Sequence, residues 1–193
     1  MIKKGRTRVK YMVVLFSVFG FLSFGQEIVI ENDSLLLWRK DRLLTWSDFR
    51  GVSVTPKKMG IHQAAASATG PVFVHREDDN GNMLPYPISY FYKSISWSIS
   101  KDSTLLRHEQ LHFDIKELYI RKMRMGFMEL SEQKIYDSTA YSNLSNKVLK
   151  ECAEVQSKYD KEVSFNKVKQ QEWRKCIDKE LEELKEYEFI PEQ

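Results

Sequence analysis

Two of the chain's four histidines stand four residues apart with a glutamate directly after the first: His108-Glu109-Gln110-Leu111-His112. On a helix, residues i and i+4 lie one above the other, so both imidazoles can reach one metal ion. The intervening Glu109 sits a step round the helix, close to a water at that metal. Two nitrogen ligands and a general base in this spacing are the working parts of a zinc peptidase. Few other local patterns demand so much of a fold. The segment must be helical, its histidines must face inward, and a cleft must open over them.

The flanking residues agree with a helix. Asp102 or Ser103 can cap its start, and the periodicity predicts that it runs to about Met125, before Gly126. At about 100° per residue, Leu105, His108, Leu111, His112, Ile115, Tyr119 and Met123 share one broad face. Both histidines thus belong to the apolar face. A glutamate buried beside them costs several kcal/mol unless its charge is compensated, and a metal ion is an economical compensation. The competing reading is a pair of core histidines satisfied by hydrogen bonds.

The rest of the chain divides into three textures. Lys3, Lys4, Arg6, Arg8 and Lys10 precede an apolar run from Tyr11 to Phe24, and Ser23-Phe24-Gly25 offers small residues for a cut before Gln26. That is the layout of a secretory signal peptide, residues 1–25. The run is short for a membrane span of about 20 residues, although an uncleaved anchor is the alternative. These 25 residues hold five of the 30 basic residues and none of the 27 acidic ones, which leaves 25 against 27, a net charge of −2. The remaining chain, 26–193, gives no electrostatic case for nucleic acid and is long enough for a single domain with its own core.

Residues 26 to 100 carry strand and turn signals. Ile28-Val29-Ile30, Leu35-Leu36-Leu37-Trp38 and Pro71-Val72-Phe73-Val74-His75 are short apolar runs, the last ending in the turn cluster Glu77 to Asn82. Ser94 to Ser100 alternates strictly. It predicts a strand with Ile95, Trp97 and Ile99 facing the core and four serines facing out, and by analogy a strand lying along the cleft. From residue 102 onward the pattern is helical. A second helix carries Leu144, Val148, Cys152, Val155 and Tyr159; a third carries Trp173, Ile177, Leu181 and Leu184. A turn near Ser164 makes these an antiparallel hairpin. Cys152 and Cys176 lie equally far from it, so a Cys152–Cys176 disulfide is possible in an exported protein, with two buried free thiols as the alternative.

The run from Leu105 to Ile115, with Glu117-Leu118-Tyr119 and Arg121-Lys122 after it, resembles a bacterial family called "domain of unknown function 922", grouped as secreted zinc-dependent proteases. Leu44-Thr45-Trp46-Ser47-Asp48-Phe49-Arg50-Gly51, Ile95-Ser96-Trp97, Tyr159-Asp160-Lys161-Glu162 and Trp173 are similar to other segments of that family. The resemblance spans about residues 35 to 187. It implies an α+β, zincin-like domain in which a small antiparallel sheet packs on the H-E-x-x-H helix and a C-terminal helical hairpin closes the site. It also implies Zn2+ as cofactor. The family typically places a Thr-x-His pattern after Tyr-Asp-x-Glu. Here Glu162-Val163-Ser164-Phe165-Asn166 follows, with no histidine beyond His112. A catalytic zinc normally takes three protein ligands. The candidates for the third are Glu162, Glu154 and Glu151, with His62 and His75 in the strand half.

The expectation is therefore an exported zinc hydrolase, periplasmic or extracellular. It acts on a peptide or protein substrate in the cell envelope, with His108 and His112 as ligands and Glu109 as base, and has no stable membrane span once its leader is removed. Two alternatives stand beside it: a metal-free envelope binding module, and a zinc hydrolase of cell-wall amide bonds.

Overall fold

The computed structural model describes residues 28–52, 64–78, 81–163 and 166–191, and the backbone of 11–13. The expected leader, its cleavage point at Gly25, and His62 lie outside these, save for Tyr11–Val13. The fold is α+β, with a small antiparallel sheet and three helices. Strands β1 (Tyr11–Val13), β2 (Leu35–Leu37), β4 (Thr69–Glu77) and β5 (Met83–Tyr92) form a sheet in the order β1-β4-β5-β2. Strands β3 (Ala65–Ala66) and β6 (Trp97–Ser98) form a two-stranded ribbon. Helices α1 (Ser103–Glu132), α2 (Ser138–Val163) and α3 (Lys167–Glu183) follow.

Alternation along β2 builds two cores from adjacent residues. Leu36 joins Phe91, Phe113, Ile120 and Tyr159 on the helical side of the sheet. Leu37 joins Val74, Ile88, Tyr90 and Phe189 on the other side. The chain's C-terminal stretch thus returns to cover the face that the helices leave. Strand β5 is the spine of the sheet, although Pro85 and Pro87 weaken its strand signal. Both prolines pair on the β4 side, opposite His75 and Phe73, while β2 reaches only Tyr90 to Tyr92. Among the described residues the other side of β5 carries no ladder there, and Arg124 Nε donates to the Pro87 carbonyl at 2.7 Å.

Three expectations change. Helix α1 does not stop at Met125 but continues to Glu132. Gly126 lies inside it because a Cβ there would come within 2.7 Å of Leu144 Cδ2 on α2, so glycine marks a close helix crossing and not a helix end. The alternating run Ser94 to Ser100 is mostly not strand. Residues 93–95 turn, only Trp97–Ser98 pairs, and Ile95 and Ile99 are exposed while Ser96 is fully buried. Ser96 Oγ donates to the Tyr92 carbonyl and accepts from the Ala68 amide, so this serine staples the turn. The Gly51 amide donates to the Ser96 carbonyl at 2.7 Å, and a Cβ on Gly51 would strike the Ile95 backbone.

The disulfide is the third. Cys152 and Cys176 are free thiols. Cys152 is buried against α1, whereas on α3 the buried position is Ile177, and Cys176 is exposed beside Glu180.

Among the described residues no helix is long and apolar enough to cross a membrane.

Candidate metal centre

Asp102 caps α1, its Oδ1 accepting from the amides of Thr104 and Leu105. The helix therefore begins beside the cleft, and its second and third turns present His108 and His112. Helix α2 crosses α1 and aims a matching i, i+4 pair, Gln156 and Asp160, back at them. Three ligand atoms converge. His112 Nε2 lies 3.0 Å from His108 Nε2 and 2.9 Å from Asp160 Oδ1, and His108 Nε2 lies 3.1 Å from the same oxygen. Zinc with bonds of about 2.0–2.1 Å separates tetrahedral ligand atoms by roughly 3.3 Å. The triangle is slightly tighter than that, and its donor set of two imidazole nitrogens and a carboxylate oxygen suits the ion. His108, His112 and Asp160 could hold a metal ion.

Tyr159 fixes the rings. It is fully buried, stacks on His108 at 4.6 Å and meets His112 edge-on at 5.0 Å. Trp173 closes on Tyr159 from α3, and its indole Nε1 donates to Glu162 at 2.9 Å. Burial pushes the His112 imidazole toward neutrality, but Asp160, with help from Glu109, outweighs it and raises its pKa. Burial likewise pushes the Asp160 carboxyl up, and the two imidazoles bonded to it pull it well below the ordinary carboxylate range.

Glu109 is buried at the cleft wall, and its Oε2 accepts from Ser67 Oγ at 2.6 Å. Ser67 follows β3, so the ribbon sets the glutamate's orientation. The cleft has a volume of about 900 Å³. Ala64 to Ser67, Leu105, Val163 and Lys167 line it together with the cluster. The strand run along the cleft is thus β3, with Ser100 alone contributing from the stretch expected there. Tyr119 lies in the core beneath Lys122, outside the cleft.

The structure does not bring Glu162, Glu154 or Glu151 to the histidines. At about 100° per residue they point roughly 160°, 120° and 180° away from Asp160 around α2, and all three are exposed. Glu162 is engaged with Trp173 and Lys158. His75 sits on β4, apart from the cluster. Asp160, Gln156 and Ser67 were not singled out from the sequence. Asp160 carries a signal that could have found it: it adjoins Tyr159 at the end of the buried stripe Val148-Cys152-Tyr159. Ser67 carries none. Compared with known proteins, the chain matches no family model, no curated protein and no solved structure.

Proposed function

We propose that the protein is a zinc-dependent hydrolase of amide bonds, most simply a peptidase of zincin-like design, exported after loss of its leader and acting on peptide or protein in the cell envelope. The convergence of His108 Nε2, His112 Nε2 and Asp160 Oδ1 beside a buried glutamate at the wall of an open cleft carries this reading. Asp160 stands in for the third histidine that the resembled family typically supplies after Tyr-Asp-x-Glu, so the ligand set is two imidazoles and one carboxylate. Zinc at these atoms supplies a Lewis acid that polarises an amide carbonyl and acidifies water at the site. Glu109 is the base that takes a proton from that water and returns it to the leaving amine. The Ser67 hydroxyl donates to Glu109 Oε2 and orients the carboxylate for this work. Neutral imidazoles bind through their Nε2 lone pairs.

The test is a metal measurement followed by a substrate screen on the chain from Gln26. Wild type is expected to hold about one zinc, and Glu109→Gln to keep the zinc but lose hydrolysis, because it removes a base and not a ligand. A general base contributes typically about 10²–10⁴-fold to rate. Peptide libraries and peptidoglycan distinguish a peptidase from a cell-wall amidase. Wild type that takes up no zinc at micromolar free metal overturns the proposal in favour of a metal-free binding module.

A further inference from the structure

We infer that Gln156 decides which nitrogen of His112 carries the proton, and so makes the His112 Nε2 lone pair available to a metal; the functional consequence rests on the zinc reading above.

The argument begins with what each atom can do. The Gln156 Nε2 group donates to the His112 backbone carbonyl at 3.2 Å and lies 3.9 Å from Cys152 Sγ. A carbonyl oxygen only accepts, so the amide nitrogen must face it. That fixes the amide plane and turns Gln156 Oε1 to His112 Nδ1, with which it is in hydrogen-bond contact. An amide oxygen also only accepts. Nδ1 must therefore carry a hydrogen. Neutral His112 is then the Nδ1–H tautomer, with its lone pair on Nε2; in that form Nε2 no longer donates to Asp160 Oδ1 but faces it, with His108 Nε2, as a fellow acceptor, an arrangement that a shared cation relieves. Reversing the amide would set its oxygen against the carbonyl of His112, losing that bond, so the grip on the backbone carbonyl is what selects the orientation and with it the acceptor at Nδ1. Cys152 is fully buried, and burial pushes its thiol up, so it offers the amide a neutral sulfur and not a competing thiolate.

The partner on the far nitrogen of a metal-binding histidine sets ring orientation and tautomer. Gln156 is unusual in gripping both the ring and the backbone of the same histidine. It reaches across from α2 four residues before Asp160, so one face of one helix supplies both a ligand and the device that prepares another ligand. Gln156 is a positioning residue. Without it His112 is free to take the Nε2–H form, which points a hydrogen where the metal must bind.

Two variants and one spectrum test this. Zinc affinity by competition with a chromophoric chelator is expected to fall about 10–100-fold in Gln156→Leu. Gln156→Glu, which keeps an acceptor opposite Nδ1, is expected to lie closer to wild type than to the leucine variant. Long-range ¹H–¹⁵N NMR of the metal-free protein, with the imidazole neutral, is expected to show His112 protonated at Nδ1 in wild type and shifted toward Nε2 in Gln156→Leu. A wild-type spectrum of the Nε2–H tautomer overturns the inference without needing any variant to fold. So does Gln156→Leu that folds by circular dichroism and binds zinc as tightly as wild type. Should wild type take no zinc, the hydrolase reading falls, while the tautomer measurement still decides the role of Gln156.

Discussion

Helix α1 turns two sets of ionisable groups inward, and they meet burial in opposite ways. Toward its C-terminal half, Glu117 Oε1 accepts from Arg121 Nε at 2.9 Å and Arg124 Nη1 at 3.1 Å. Arg121 also donates to the Leu181 carbonyl and pairs with Glu188; Arg124 donates to the carbonyls of Pro87 and Tyr187. The side chains of Glu117, Arg121 and Arg124 are 1–2% exposed. Opposite permanent charges and backbone carbonyls come from the chain itself, and the network staples the C-terminal stretch and β5 to the helix. Toward its N-terminal half, the side chains of His108 and His112 are 20% and 13% exposed, and Asp160 56%. Two imidazole nitrogens and a carboxylate oxygen meet there at about 3 Å, a donor set that a shared cation reconciles. The sealed network is what a helix does to hold a fold. The open triad is a set of ligand atoms that could hold a metal ion.

The largest effect that separates the two is zinc dependence. Wild type is expected to gain about 2.7 kcal/mol of stability at a zinc concentration 100 times Kd. His112→Ala should show no such gain while its metal-free melting temperature stays near wild type, because the triad adds little to the apo fold. Differential scanning calorimetry with and without zinc checks this. A large loss of apo stability in His112→Ala would place the triad with the structural set.

Glu117→Ala should do the reverse. It leaves Arg121 and Arg124 short of their common anion in the core, a loss of about 3–5 kcal/mol for a broken buried pair. Urea denaturation measures it. Zinc uptake by the fraction that remains folded should be unchanged in stoichiometry. A zinc-binding defect would mean that the two sets are coupled along the helix.

The same two sets show what can be read from sequence. His108, Glu109 and His112 were legible because i, i+4 spacing is a local property of one helix. Asp160 was not, since its place depends on how α2 crosses α1, 48 residues away. Its face of α2 could be counted, but the candidates for the third ligand were Glu151, Glu154 and Glu162, on other faces. Helices α2 and α3 were readable from their apolar stripes. The sheet was read less well, since prolines hid β5 and alternation at Ser94 to Ser100 imitated a strand. In both places a side-chain contact decides the backbone: Arg124 tends the open side of β5, and Ser96 Oγ closes its turn. The Trp46–Asp48 segment joins the structural side. Asp48 is buried, caps its own 3-10 turn through Thr45, and pairs with Arg42 at 2.8 Å.

A smaller effect tests how α2 is brought to the triad. Gly126→Ala gains helix propensity of up to about 1 kcal/mol, but its Cβ would meet Leu144 at 2.7 Å, and overpacking costs about 1–3 kcal/mol. The contact is with the mobile end of a leucine, so the net loss should be roughly 1 kcal/mol in urea denaturation. Because Leu144 lies four turns before Asp160 on α2, zinc affinity should weaken only slightly. A strong loss of zinc with little loss of stability would show that the helix crossing, more than local side chains, sets the triangle.

The smallest effect concerns the thiols, and it asks whether α2 is held against α3 by packing alone. Cys152 is fully buried and its thiol is pushed up by burial, so it should react slowly with a thiol reagent in the native protein. Cys176 is exposed on α3 and should react at once. Unfolding without reductant should then release two titratable thiols per chain. Cys176→Ser should change stability by no more than about 0.5 kcal/mol, the range of an ordinary surface substitution, and leave zinc uptake as it was. The link from α3 to the triad would then run through Trp173 against Tyr159, and Tyr159 against both histidines. Finding no free thiol in the unreduced monomer would instead tie the two helices covalently, and the position of Asp160 would owe as much to that bond as to the aromatic stack.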